Sequence, residues 1–180
     1  AIQTEKPAVK NCGNSSSLYD KTPFTEVDEK AGDSVTGWEK IIGCLKRKID
    51  DLKEADPIIV MNYYPGVHEE ELFKHLIRPL GFVNIINAND LFKGEEEIKR
   101  LTYPDVTDDP VFGYITRLTF MDFFDAEKFQ NTEQQLKSFK GISLVYGYGA
   151  SLLVRSPGLL IYADMPRWEL QLRYRRKEID

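Results

Sequence analysis

Cysteine, histidine, long apolar runs and an excess of either charge are all scarce in this 180-residue chain. Its two cysteines, Cys12 and Cys44, are able in principle to pair. Neither has a second cysteine, a histidine or a turn nearby, so a disulfide scaffold and a redox motif are not the basis of the fold, and a reduced, cytoplasmic setting is the expectation. The two histidines, His68 and His75, stand seven residues apart on one helical pattern, two turns, too far to share a zinc ion. No His, Cys or carboxylate constellation completes a metal site, so no metal is expected. There is no G-x-S-x-G, and Ser151 has neither histidine near it in sequence. No stretch approaches the roughly 18 apolar residues of a membrane span, so no membrane is expected as a partner. A net charge of −5 spread over both signs argues against nucleic acid. The basic run Arg173, Arg175, Arg176 and Lys177 is followed directly by Glu178 and reads as a solvated helix face.

What is present suits one globular domain: 42% apolar and 29% charged residues, in a chain long enough to bury a core without staples. Residues 1–36 are rich in Ser, Thr, Asp, Lys and Pro and read as an extended arm, clipped to the domain by Leu18, Tyr19, Phe24 and Val27. Residues 37–180 carry the domain. Trp38, Ile41, Ile42, Leu45, Ile49 and Leu52 recur at helical spacing and predict a helix that Asp56 and Pro57 stop. "IIVMNYY" reads as a buried strand, "EEELFKHLIRPLG" as a helix closed by Pro79 and Gly81, "FVNIINA" as a second strand and "EEEIKRL" as a short helix. Thr107 or Asp108 is expected to cap a helix with Pro110 in its first turn. "DAEKFQNTEQQLKSFKG" predicts a helix ended by Gly141, and "ISLVYGYGASLLV" and "GLLIYADM" predict two more strands before a terminal helix. That last helix meets no Gly, Asn or Pro, so the chain is expected to continue past Asp180, and Ala1 in place of Met suggests a removed start. Strand and helix alternating about every twenty residues predict a three-layer α/β/α domain on a mostly parallel sheet.

Ligands of such sheets bind beyond the carboxyl ends of the strands, which singles out Tyr64, Pro65 and Gly66, then Gly147 and Gly149, then Asp164 to Arg167. "YYPGVHEEEL" has the strand–turn–helix layout of a phosphate loop. It lacks the extra glycines and the Lys-Ser/Thr pair, and Glu69, Glu70 and Glu71 stand where an anion would approach, acids that suit a helix start. Gly147 and Gly149 permit close backbone approach to a ligand and serve tight turns equally well. Asp164 occupies the place of a magnesium acid, but with no partner residues for the metal a structural contact to Arg167 is the stronger reading. Phe120, Phe123, Phe124 and Phe129 read as core.

"YPDVTDDPVFGYITRLTFMDFFD", "VYGYGASLL" and "LLIYADMPRWELQLRYR", with "LYDKTPFTEV" and "NYYPGVHEEEL", resemble the amino-terminal portion of long bacterial class I mannose-6-phosphate isomerase-like proteins, in which a uridine- or nucleoside-kinase-like domain precedes the isomerase. The resemblance implies a P-loop-kinase-like fold with a degenerate phosphate loop, and places the isomerase's zinc and sugar-phosphate site beyond Asp180, in a C-terminal domain that would be this chain's partner. The expected function is a non-catalytic accessory or ligand-sensing domain that needs no cofactor of its own. One alternative is a small-molecule kinase with an atypical phosphate site, using Gly66, Gly147 and Gly149 for backbone contacts and Arg117 and Arg167 as cations. Another is a stand-alone interaction module.

Overall fold

Apolar residues run without interruption from Ile58 to Met61, and such a run forms a strand only where both faces are covered. The computed structural model, which describes residues 34–179, shows this arrangement. Strand β1 (Ile58–Tyr63) lies between β3 (Ser143–Gly147) and β4 (Leu159–Ala163), with β2 (Asn84–Asn87) outside β3, giving the order β2-β3-β1-β4. All pairings are parallel, with Val60 opposite Val145 and Leu160. Residues 1–33 of the N-terminal arm, with its apolar clip and Cys12, lie outside the described residues.

Alternate side chains of the central strands feed two cores. On one face Ile59, Met61, Leu144 and Tyr146 pack with Ile49 of helix α1 (Trp38–Asp50) and with Leu72, Leu76 and Ile77. On the other, Val60 and Val145 pack with Ala88, Leu91, Phe124, Leu153 and with Phe129 and Leu136 of helix α5 (Ala126–Leu136), whose start Asp125 caps by accepting the Glu127 and Lys128 amides.

Helix α2 (Glu69–Leu72) continues through a π turn, Phe73–Ile77, into α3 (Arg78–Leu80). The widened turn explains how Pro79, expected to end the helix, sits inside it: a proline ring clashes with the carbonyl four residues back, here His75, unless the spiral opens there. Gly81, at φ 70°, does close it. The helix α1 ends at Asp50, earlier than Asp56–Pro57 implied. The helix expected near Pro110 does not form. Helix α4 (Glu95–Val106) runs through Pro104 instead, and Asp109 Oδ1 accepts the Val111 and Phe112 amides in a local turn. Gly113 and the β-branched and aromatic residues around it favour extended backbone. The chain crosses to a 3-10 turn, Phe120–Phe123, set by a Thr119–Asp122 capping box. Ile115, on this crossing, is 97% exposed. Helix α5 stops at Leu136, short of Gly141, and helix α6 (Arg167–Arg176) stops at Lys177, whose φ of 56° supplies the left-handed ending for which no glycine is present.

Candidate functional site

The loop after β1 is a β-turn. The Val67 amide donates to the Tyr64 carbonyl at 3.1 Å, Pro65 takes the position that favours a fixed φ, and Gly66 takes the next with φ 90°, the pattern of a type II turn. The Tyr64 amide donates to Ala163 O at 2.9 Å, extending the β1–β4 pairing. A Cβ on Gly66 would lie 2.5 Å from Leu170 Cδ1 and 3.0 Å from Ile179 Cδ1, and Arg173 Nη1 donates to the Gly66 carbonyl at 2.6 Å. Gly66 therefore seats helix α6. Arg173 is also paired with Glu169, and Arg176 with Glu169 and Glu178.

Behind this turn Glu69, the first residue of α2, is gathered by neutral donors. The Tyr63 hydroxyl donates to its Oε2 at 2.5 Å, Asn89 Nδ2 to the same oxygen at 3.2 Å and to the Tyr63 oxygen at 2.6 Å, and Asn87 Nδ2 to Oε1 at 3.1 Å. Burial first, and the bond to Glu69 second, hold the Tyr63 phenol well above its ordinary range. Burial and the charge of Glu69 push Tyr146 up to about 12. The Asn87–Asn89 turn lies tight on Gly147, at φ 125°, where a Cβ would meet Asn89 Oδ1 at 2.9 Å, and the same Oδ1 accepts the Tyr148 amide.

Tyr63 also lines a cavity of about 470 Å³, with Asn62, Pro65, Phe92, Ile98, Phe120, Phe123, Tyr148, Gly149 and Tyr162 as its other lining residues. Six of the ten are aromatic and none is charged. The strand ends contribute the floor. The wall comes from Phe92 and the 3-10 turn, which are held together by Lys93 N–H to Phe123 O at 2.9 Å and Asp125 N–H to Leu91 O at 2.9 Å. Phe92 stacks on Phe124 at 4.7 Å, and Phe120 meets Phe92 edge-on at 5.9 Å. Gly149 seats this wall: at φ 68°, its Cβ would stand 2.5 Å from Phe120 Cε1. Asn62 is fixed by Ser151, donating to its Oγ at 2.8 Å and accepting its amide at 3.0 Å.

Several sequence expectations are redrawn by this geometry. Gly66, Gly147 and Gly149 each stand close to the protein's own atoms: helix α6, the asparagine turn and an aromatic ring. Asp164 accepts the Met165 amide at 2.8 Å, and among the described residues the ion pairs do not include Asp164 with Arg167. Arg117 lies on the exposed crossing, beside a separate hollow with Tyr114 and Ile115, and neither it nor Arg167 lines the strand-end cavity. Phe124 and Phe129 are core, whereas Phe120 and Phe123 line the cavity. No group of three His, Cys, Asp or Glu able to hold a metal occurs among the described residues, and no helix among them is long and apolar enough to cross a membrane. Sequence reasoning singled out Glu69 as an acid opposing an anion but missed Tyr63, Asn87, Asn89, Tyr148 and Tyr162. A tyrosine within one residue of the end of β1, β3 and β4 was the available signal.

These features define an α/β domain with an all-parallel four-stranded sheet and an aromatic cavity at the strand ends. The chain belongs to the family described as Domain of unknown function (DUF8485), which matches residues 37–180. No curated protein and no solved structure matches it.

Proposed function

We propose that this is a kinase-like domain without phosphotransfer activity, which senses a small ligand at the carboxyl ends of its strands. The observation that carries the reading is the Glu69 cradle. Where a phosphate-binding fold presents donors to an anion, this chain brings Tyr63, Asn87 and Asn89 onto its own carboxylate. Arg173, the cation that reaches this turn, is engaged with Gly66 O and Glu169. A triphosphate approaching the β1 turn would meet Glu69, Glu70 and Glu71 with no cation among the described residues placed to offset them. The kinase-like description draws on the parallel sheet with β1 inside it and on the strand–turn–helix layout. An accessory role beside a mannose-6-phosphate isomerase-like domain rests on the sequence resemblance alone.

Calorimetry with ATP, with and without magnesium, tests the reading. No heat of binding up to millimolar nucleotide, and no ADP formed with nucleosides or sugars as acceptors, is the expected result. Micromolar ATP binding that moves the amide resonance of Gly66 overturns it and restores the kinase.

A further inference from the structure

The strand-end cavity has a chemistry of its own, and its walls narrow what it takes. Resting on the reading of this face as a binding site, we infer that the cavity accepts an uncharged, planar aromatic molecule of two or three rings and rejects the same ring system carrying an anionic group.

The size fits: about 470 Å³ falls within the range of roughly 300–1,000 Å³ of ordinary small-molecule pockets. The shape of the walls points to flat ligands. Phe120, Phe123 and Tyr162 present ring surface from the crossing and from β4, while Tyr63 and Tyr148 meet edge to face at 4.7 Å along the floor. Offset-stacked and edge-on arrangements with a planar guest are therefore available on more than one side. Phe120 and Tyr162 remain 47% and 59% exposed, which leaves apolar area for a guest to cover.

Charge selection follows from what the polar groups already do. Among the lining residues, the Asn62 amide is engaged with Ser151, and the Tyr63 hydroxyl with Glu69 and Asn89. The Tyr162 hydroxyl has no hydrogen-bond partner among the described residues and offers one polar contact. No Lys, Arg or His lines the cavity, so an anionic guest loses its hydration without a compensating cation. The Glu69 carboxylate, one hydrogen bond behind Tyr63, adds repulsion of the same sign.

Two fluorescent probes of nearly the same shape separate these features. N-phenyl-1-naphthylamine is uncharged, and 1-anilinonaphthalene-8-sulfonate adds one sulfonate to the same ring system. Titrated into the protein, the neutral probe is expected to saturate at one site with blue-shifted emission, and the sulfonate to bind about tenfold or more weaker. Phe120→Ala and, independently, Tyr162→Ala on the exposed edge strand are each expected to weaken the neutral probe about five- to tenfold. Ile115→Ser, on the apolar crossing outside the cavity, is expected to leave the titration unchanged. Equal affinity for the two probes overturns the charge selection. Neutral-probe binding that ignores both cavity variants and falls with Ile115→Ser overturns the location. Absence of neutral-probe binding overturns the ligand class while leaving the ATP result, and with it the non-catalytic reading, as it stood.

Discussion

Two regions meet at Tyr63, and they are finished differently. On its hydroxyl side the Glu69 cradle is polar and internally complete, with each donor turned onto a carboxylate of the same chain. On its ring side the cavity is aromatic, uncharged and open toward solvent. Both lie where an open parallel sheet concentrates ligand sites. The contrast teaches that a strand-end position takes an anion only to the degree that its polar donors remain available, while apolar walls at the same level suit a guest of another kind. At the cradle the protein supplies the anion itself, and at the cavity it supplies walls without a polar partner set.

The severest way to break the contrast is at the glycine beneath the cradle. Gly147→Ala places a Cβ at φ 125° and 2.9 Å from Asn89 Oδ1, combining backbone strain with overpacking against a fixed amide. A loss of about 3–4 kcal/mol in urea unfolding is expected. Gly81→Ala, at φ 70° with no atom within 4 Å of the new Cβ, isolates the strain and is expected to cost about 1 kcal/mol. Equal losses at the two positions would mean that the asparagine turn yields and is not a fixed part of the cradle.

Next comes the carboxylate. Glu69→Ala leaves the Tyr63 hydroxyl and the Asn87 amide facing no acceptor in a half-buried space, with Asn89 keeping only the Tyr63 oxygen, and a loss of about 2 kcal/mol is expected by the same measurement. Glu69→Gln keeps one acceptor oxygen and should fall between the variant and the parent. A neutral outcome for Glu69→Ala would show that water replaces the carboxylate without loss, and the cradle would then be a surface cluster.

What was legible beforehand follows the same division. The apolar runs of β1 and β3, the helical spacing of Trp38 to Leu52 and the alternation of strand and helix gave the parallel α/β architecture, because burial on both faces leaves a pattern along the chain. The glycines at positive φ were equally visible. What each one accommodates was not, since Leu170, Asn89 and Phe120 lie 104, 58 and 29 residues from Gly66, Gly147 and Gly149, and only the folded chain brings them together. The helix expected near Pro110 failed for a local reason: the cap and proline signals were sound, but "VFGYIT" after them lacks residues that sustain a helix.

On the cavity side the stability effect is smaller, which is what sharpens the comparison. Phe120 is nearly half exposed, so Phe120→Ala is expected to cost about 1 kcal/mol, well under the value for a fully buried ring, while it removes much of the cavity wall. A domain that stays folded yet loses its aromatic guest separates binding from folding. A loss as large as that of Gly147→Ala would make Phe120 part of the core.

The gentlest test concerns the helix that closes the β1 turn. Arg176, paired with Glu178 and Glu169, and Arg173, paired with Glu169, hold the carboxyl groups of Glu178 and Glu169 below their ordinary value of 4.5. Carboxylates depressed in the folded state contribute stability that is fully present above about pH 4.5 and is lost as the pH falls through their lowered folded values. Arg176 and Glu178 are exposed and Arg173 and Glu169 only partly buried, so the effect is screened and modest, and added salt should shrink it. Unfolding measured from pH 6 to pH 3 in Glu169→Gln is therefore expected to show a shallower acid slope than the parent, with the two curves converging at the acid end. Because Arg173 also donates to the Gly66 carbonyl, the same variant reports whether α6 stays seated on the turn: an unchanged Gly66 amide resonance at pH 6 means that the hydrogen bond and Leu170 suffice, and a shifted one means that the ion pairs position the arginine.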